Sequence, residues 1–186
     1  MKRSPSSVRI IGGHWRGTRL PVADEDGLRP TSDRTRETLF NWLQPVLPGA
    51  RVLDLFAGSG ALGFESLSRG AREALLVERD PRQCELLRET ARRLPGGEAA
   101  TVVQADAIAF LRAPLHGHFD VAFVDPPFAA DLWEQALATL PAWLSDAAWL
   151  YVESPLQRNI EPGAGWREHR QGGSRETRYV LYRRDA

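Results

Sequence analysis

The chain is poor in cysteine, in lysine and in long apolar runs, and it carries no net charge. One cysteine, Cys84, among 186 residues excludes an internal disulfide and a cysteine-based zinc site. No apolar stretch approaches the ~20 residues that span a bilayer. The polar start, Met1-Lys2-Arg3-Ser4-Pro5-Ser6-Ser7, lacks the apolar core of a secretion signal. The expected location is therefore the cytoplasm, with no membrane partner. No internal repeat or long low-complexity tract is present. What is there, 42% apolar and 26% charged residues, is the balance of one globular domain, with room for a small extension.

Zero net charge, taken alone, speaks against a polyanion partner. The average conceals a pattern. Residues 1–36 hold eight basic and four acidic groups, a net of +4. Residues 37–157 hold nine basic and sixteen acidic groups, a net of −7. Residues 158–186 return to +3. Only Lys2 among the 24 basic residues is lysine, and the arginine fork suits two-pronged contact with phosphate.

Residues 1–7 read as a disordered leader. Ser7 to Val22 reads as a β-hairpin, Val8–Ile11 and Trp15–Leu20 about a Gly12-Gly13 turn. Thr31 or Ser32 is placed to cap a helix from about Asp33 to Leu43, stopped by Pro45 and Pro48. From Arg51 strands and helices alternate. The strands are 51–56, 73–78, 100–104, 119–125 and 148–153, with two more near 166–170 and 178–183. The helices are about 61–68, 81–94, 107–111 and 132–144. Runs such as Val121-Ala122-Phe123-Val124 are apolar throughout, as in strands covered on both faces. The expectation is an α/β, Rossmann-like fold: a mostly parallel seven-stranded sheet with helices on both faces. Residues 1–30 form an N-terminal arm and hairpin, and residues 31–186 the main domain.

The first of these strands runs into Asp54-Leu55-Phe56-Ala57-Gly58-Ser59-Gly60-Ala61-Leu62-Gly63. Gly58, Gly60 and Gly63 satisfy G-x-G-x-x-G between a strand and a helix, the context of a cofactor loop. Glu78 ends the next strand, twenty residues after Gly58, where an acid can accept hydrogen bonds from ribose hydroxyls. This pattern fits a nicotinamide dinucleotide or S-adenosylmethionine. Asp54 favours the second, because an acid there suits the cationic amino acid end of that ligand. Asp106 can reach an adenine amino group and can equally cap the helix from Ala107. The candidate cofactor-binding residues are Asp54, Phe56, Ala57, Gly58, Ser59, Gly60, Glu78, Arg79, Asp106, Ala107 and Asp125.

The sharpest signal is Asp125-Pro126-Pro127-Phe128 at the end of the fourth of these strands. Two prolines stop sheet pairing and fix the backbone, so the loop projects rigidly beside the cofactor crevice. Asp125 and the Pro126 carbonyl can accept hydrogen bonds from an exocyclic amino group, and Phe128 can stack on its ring. A base held this way must be unpaired or flipped out. These four are the candidate catalytic residues.

Together the two motifs resemble those of class I S-adenosylmethionine-dependent amino-methyltransferases. A closer resemblance, to the RsmD family, is carried by Arg9-Ile10-Ile11-Gly12-Gly13-His14-Trp15-Arg16-Gly17, Leu28-Arg29-Pro30-Thr31, Asp33-Arg34-Thr35-Arg36-Glu37, Phe40-Asn41, Asp54–Gly63 and Tyr151-Val152-Glu153. His14 stands where that family commonly has lysine. The resemblance implies methyl transfer from S-adenosylmethionine to the N2 amino group of guanine in small-subunit (16S) ribosomal RNA, within a ribosomal particle. S-adenosylhomocysteine would be the product, and neither metal nor covalent intermediate is implied. Asp125 and Pro126 would position the amino group and Phe128 would hold the ring. A monomer is expected.

The basic amino-terminal segment supplies the candidate RNA-binding residues Arg9, Trp15, Arg16, Arg19, Arg34 and Arg36. Arg34 and Arg36, with Glu37, could instead cover the cofactor or form a local ion pair. Arg175 and Arg178 are weaker candidates for RNA. Cys84 shares a helix face with Leu87, Ala91 and Leu94 and reads as core, as do Trp133 and Trp143. His116 and His118 form no metal pattern. The tetrapeptide by itself also permits an adenine-N6 or cytosine-N4 methyltransferase, and a mainly non-catalytic ribosome-assembly factor is the alternative outside enzymes.

Overall fold

In the computed structural model, which describes residues 7–23 and 32–185, seven strands form one sheet in the order β5-β4-β3-β6-β7-β9-β8. These are β3 (Arg51–Asp54), β4 (Glu73–Glu78), β5 (Ala100–Gln104), β6 (Phe119–Val124), β7 (Leu144–Pro155), β8 (Trp166–Gly173) and β9 (Thr177–Arg184). The first five run parallel, and β9 pairs antiparallel with both β7 and β8. The seven-stranded, mostly parallel sheet is as expected. Boundaries move: β3 stops at Asp54 and β6 at Val124, each short of its expected end, while β7 and β8 extend further.

Alternate strand residues feed two separate cores. Val52, Leu76, Val121, Phe123, Tyr151, Tyr179 and Leu181 face α1 (Asp33–Leu43), α2 (Ala61–Ser68) and α3 (Pro81–Arg93). Leu53, Val77, Ala122, Val124, Leu150, Val152, Val180 and Tyr182 face α4 (Ala107–Leu111) and α5 (Trp133–Thr139). Helices thus cover both faces. Ser32, one of the two expected caps, accepts the Thr35 N–H at 3.1 Å and starts α1. Helix α5 is shorter than expected: Pro141 lacks an N–H to continue the ladder, and residues 140–143 tighten into a 3-10 turn. Cys84, Trp133 and Trp143 are fully buried.

The N-terminal hairpin is real, but its register is not the expected one. β1 (Ser7–Arg9) pairs with β2 (Arg19–Pro21), with Ser7 opposite Pro21 and Arg9 opposite Arg19. Gly12 and Gly13 are therefore not a two-residue turn. They lie in a long connection clamped onto the end of α2. The Glu65 carboxylate accepts the N–H groups of Ile11 at 2.7 Å and Gly12 at 2.8 Å. The Ser68 hydroxyl donates to Gly12 O at 2.6 Å and accepts the Trp15 N–H at 2.9 Å. Gly13, at φ 76°, comes so close that an added Cβ would lie 1.8 Å from Ser68 O. Val8, Ile10, Leu20 and Val22 complete the first-face core. The expected leader over 1–7 is one residue too long, because Ser7 pairs with Pro21 in β1; residues 1–6 and the segment Leu28-Arg29-Pro30-Thr31 lie outside the described residues.

Candidate active site

Four strand ends, β5, β4, β3 and β6, stand side by side at the carboxyl edge of the sheet. From β3 the chain moves outward through β4 and β5, then returns to the other side of β3 as β6. Such a reversal leaves a crevice above the strand ends, where α/β sheets bind ligands.

Asp54 closes β3 at the crevice floor and is 2% exposed. Its Oδ2 accepts the Gly63 N–H at 2.9 Å. Burial raises its carboxyl pKa to about 7, against the Gly63 hydrogen bond and with help from the charge of Glu78. Glu78 closes β4. Its Oε2 accepts the Gly58 N–H at 2.9 Å and its Oε1 the Asp80 N–H at 2.8 Å. Each oxygen keeps a further lone pair, so Glu78 both shapes the glycine loop and can receive hydroxyl donors. Gly60 caps α2 at φ 75°, and an added Cβ would lie 2.6 Å from Leu87 Cδ2. Only glycine satisfies both demands there.

The flanking candidates divide by exposure. Ala57, Ser59 and Ala107 are buried in the loop and helix walls, Phe56 is half-buried, and Arg79 is exposed. Asp106 Oδ1 accepts the N–H groups of Ile108 at 3.0 Å and Ala109 at 2.9 Å, capping α4. The residue is exposed and its second oxygen takes neither bond, so capping and ligand contact are compatible.

On the other side of β3, Asp125 follows β6 directly. Pro126 is buried, Pro127 is exposed, and Pro127 O accepts the Ala130 N–H at 2.9 Å to close a short 3-10 turn. Asp131 ends this turn at φ 47°, the one non-glycine positive φ among the described residues, and pairs with Arg158. The Phe128 ring leans on buried Trp133, centroids 5.8 Å apart, yet stays 39% exposed. A half-open aromatic on a rigid loop is a stacking platform.

Sequence reasoning missed the acid behind this loop. Val124 pairs with Val152, which sets Asp125 beside Glu153 across β6 and β7. Glu153 is buried and its Oε2 accepts the Tyr151 hydroxyl at 2.8 Å. Burial, then the charges of Glu153 and Asp125, push the Tyr151 phenol well above its ordinary range. The sequence did show Tyr151-Val152-Glu153, but alternation alone says only that the two polar side chains share a face, not which face.

Among the expected RNA-binding residues, the structure separates surface from core. Arg9, Arg16, Arg19 and Arg34 are exposed. Arg9 and Arg19 stand directly opposite one another in the ribbon, and the Asp33 carboxylate already lies 3.4 Å from the Arg9 guanidinium. Arg36 is a correction. It is 0% exposed, with its guanidinium against Asp33 at 2.6 Å, Arg9 O at 2.8 Å and Glu65 at 3.8 Å. The local ion pair allowed for it is its role. Trp15 is also diverted: it is half-buried, its edge meets Phe64, and its indole N–H donates to Pro95 O at 3.0 Å. The ring anchors the hairpin connection, leaving a stacked base little of it to meet.

The family described as Conserved hypothetical protein 95 matches residues 8–183. Ribosomal RNA small subunit methyltransferase D of Escherichia coli K12 is 47% identical over 182 residues, covering 96% of this chain and 91% of that protein. The chain belongs to the RsmD family. Two solved structures share nearly its whole length. One from Escherichia coli is 46% identical, with TM-score 0.85 over 97% of this chain and 99% of that one. One from Haemophilus influenzae is 37% identical, with TM-score 0.83 over 97% and 100%. The RsmD chain has the class I methyltransferase fold, and the crevice above β3, β4 and β6 is where that fold places its reactants. No group of three or more histidine, cysteine, aspartate or glutamate side chains is arranged to hold a metal among the described residues, and none of their helices is long and apolar enough to cross a membrane.

Proposed function

We propose that this chain methylates the exocyclic N2 amino group of a guanine in small-subunit (16S) ribosomal RNA, using S-adenosylmethionine. One observation carries the reading: Asp125-Pro126-Pro127-Phe128 projects from β6 immediately beside Asp54 and the glycine loop, across the reversal in strand order. The residues fit the cofactor. Asp54 offers a buried carboxylate to a cationic amino group, Glu78 retains acceptors for ribose hydroxyls, and Asp106 offers an oxygen for an adenine amino group. When bound, S-adenosylmethionine supplies a sulfonium-activated methyl group and leaves as S-adenosylhomocysteine.

The chain's own task is to present the nitrogen. Asp125 and the Pro126 carbonyl accept hydrogen bonds from the amino group and aim its lone pair into the crevice, and Phe128 stacks on the extruded base. The nitrogen gains a carbon bond and loses a proton, for which Asp125 is the nearest acceptor in this reading. Catalysis is then chiefly orientation and proximity. The reading places the reaction in the cytoplasm, on RNA within a ribosomal particle, by one copy of the chain. Tritiated methyl transfer to naked 16S RNA, free small subunits and assembled ribosomes tests it. Label is expected in RNA of at least one of the first two, and label in none contradicts the reading.

Asp54 gives a pH prediction. Its folded pKa, about 7, lies above its ordinary 3.8, so ionising it opposes folding. Its contribution to stability is full below pH ~4 and is lost as pH rises through about 7. A cationic amino group bound beside it reverses that preference. Affinity for S-adenosylhomocysteine should therefore weaken by up to about tenfold per pH unit below about 7 and level off above it. Calorimetric titration from roughly pH 5.5 to 8 reads this slope, and Asp54→Asn should flatten it. A flat wild-type profile contradicts the role given to Asp54.

A further inference from the structure

The β8 edge carries an arrangement that the function so far leaves unused. β8 reads Trp166-Arg167-Glu168-His169-Arg170-Gln171-Gly172-Gly173 and is almost wholly exposed. Strict alternation would set Arg167 and Arg170 on opposite faces. The strand instead bulges at His169: Glu168 pairs with Tyr182 and Arg170 with the very next partner, Leu181. Arg167 pairs with Arg183. Leu181 belongs to the first-face core, and Arg183, two residues on, shares its side. The bulge thus re-aims Arg170 to join Arg167 and Arg183, as bulges do when they turn a side chain.

The gathered cations are held ready. Arg183 lies over the half-buried Trp149 ring, its guanidinium carbon 5.6 Å from the centroid, and His169 meets the same ring edge-on at 4.8 Å. Burial and the positive charges of Arg170, Arg183 and Arg167 lower the His169 pKa, an independent sign that the three crowd one spot. The ion pair on this side is a loose one, Arg167 to Asp185 at 3.7 Å, with both side chains more than half exposed. The opposite face differs: there Glu168 neutralises Arg178 at 3.6 Å. Charges that merely guard a sheet edge against pairing have no need of one face. Here charge is concentrated on one face, by a backbone irregularity, on the side that also carries the N-terminal hairpin.

We propose that Arg167, Arg170 and Arg183, gathered around Trp149, form a second contact for the phosphate backbone of the substrate RNA, distinct from the catalytic loop. From Glu153, beside the catalytic loop, the sheet descends four residues, about 13 Å, to Trp149 and Arg183, and β8 lies three strands across from β6, about 14 Å. The patch therefore grips RNA well away from the extruded base and contributes to which RNA is held, not to the chemistry. This rests on the proposed RNA substrate.

The test uses the full chain with all three arginines changed to glutamine, and a second variant with all three changed to lysine. Binding to naked 16S RNA is followed by anisotropy across salt concentrations, alongside methyl-transfer kinetics and thermal melting. The glutamine variant should melt like the wild type and bind RNA roughly tenfold more weakly. Its log–log salt slope should fall by about 2–3, as expected for loss of three phosphate contacts. KM for RNA should rise in parallel with kcat unchanged, and the lysine variant should recover most of the salt slope. Unchanged affinity and slope overturn the proposal. So does a defect confined to protein-containing particles, which would assign the open β8 edge to a protein partner. A wild type that methylates neither naked 16S RNA nor small subunits removes the functional reading itself, whatever the variants do.

Discussion

Replacing Asp125 with alanine should lower kcat by about 10³-fold while the fold, and most of the affinity for RNA, survive. A positioned acceptor that takes part in proton transfer contributes on the order of 10²–10⁴ in rate. Asp125 sits at the sheet edge after β6 and is half-buried, so on the proposed reading its loss chiefly removes an interaction made with the reacting group. The kinetic signature is a fall in kcat and in kcat/KM together, with little change in KM for RNA. Asp125→Asn should lose less, about 10–100-fold, because the amide oxygen still accepts a hydrogen bond but takes up no proton at neutral pH. Single-turnover transfer to small subunits, with circular dichroism as the control for folding, measures both. An alanine variant within tenfold of wild type contradicts the assignment. An asparagine variant equal to wild type keeps Asp125 as a positioning acceptor and transfers the proton's fate to solvent.

Glu65→Ala should cost roughly 3–5 kcal/mol of stability, the range for removing one partner of a buried ion pair. The Glu65 side chain is 0% exposed. It holds Arg69 Nε at 2.7 Å, lies 3.8 Å from Arg36, and accepts the N–H groups of Ile11 and Gly12. Its loss removes the buried carboxylate beside Arg69 and Arg36, leaving Arg36 only the Asp33 carboxylate, and strands two backbone donors at once. Arg36 is already stretched, since its Nε has no partner among the described residues. For a chain of this length the loss corresponds to a fall of about 10 °C in melting temperature. Because the clamp joins α2 to the hairpin connection, limited proteolysis around residues 11–17 should quicken as well. Urea unfolding that shows less than about 1 kcal/mol contradicts the view of Glu65 as the hairpin's anchor.

The sheet and the crevice were legible because their signals are local. Parallel strands buried on both faces are continuous apolar runs, and Asp54–Gly63 and Asp125–Phe128 are contiguous words at strand ends. What was misread depends on tertiary context. Gly12-Gly13 signals a positive φ and a close approach, but does not say whether a tight turn or a neighbouring helix demands them. Here Ser68 does. Arg36 was assigned to the surface by its charge, although Arg36, Leu39, Phe40 and Leu43 follow the spacing of one buried helix face. That spacing was the available signal, and it only becomes decisive once Glu65 is known to lie opposite. Trp15 was placed among arginines as a stacking ring, and only the fold brings Pro95 O to its indole N–H. The bulge at His169 leaves no mark in the sequence that alternation can detect.

The absence of net charge also has a structural meaning. Acids cluster at the carboxyl edge, in Asp54, Glu78, Asp106 and Asp125, and the arginines that balance them are spent in different ways. Arg36 and Arg69 neutralise Glu65 in the interior, while Arg9, Arg16 and Arg19 stand on the hairpin and Arg167, Arg170 and Arg183 on the far edge. Neutrality overall is compatible with local positive surfaces on one side of the sheet.

On the proposed reading, this crevice methylates the amino group of guanine. The most direct test is nucleoside mass spectrometry of 16S RNA after incubation of small subunits with the purified protein and S-adenosylmethionine. A single new modified nucleoside, N2-methylguanosine, is expected, absent with the Asp125→Ala variant. N6-methyladenosine or N4-methylcytidine in its place, or N2-methylguanosine formed equally well by Asp125→Ala, would contradict it.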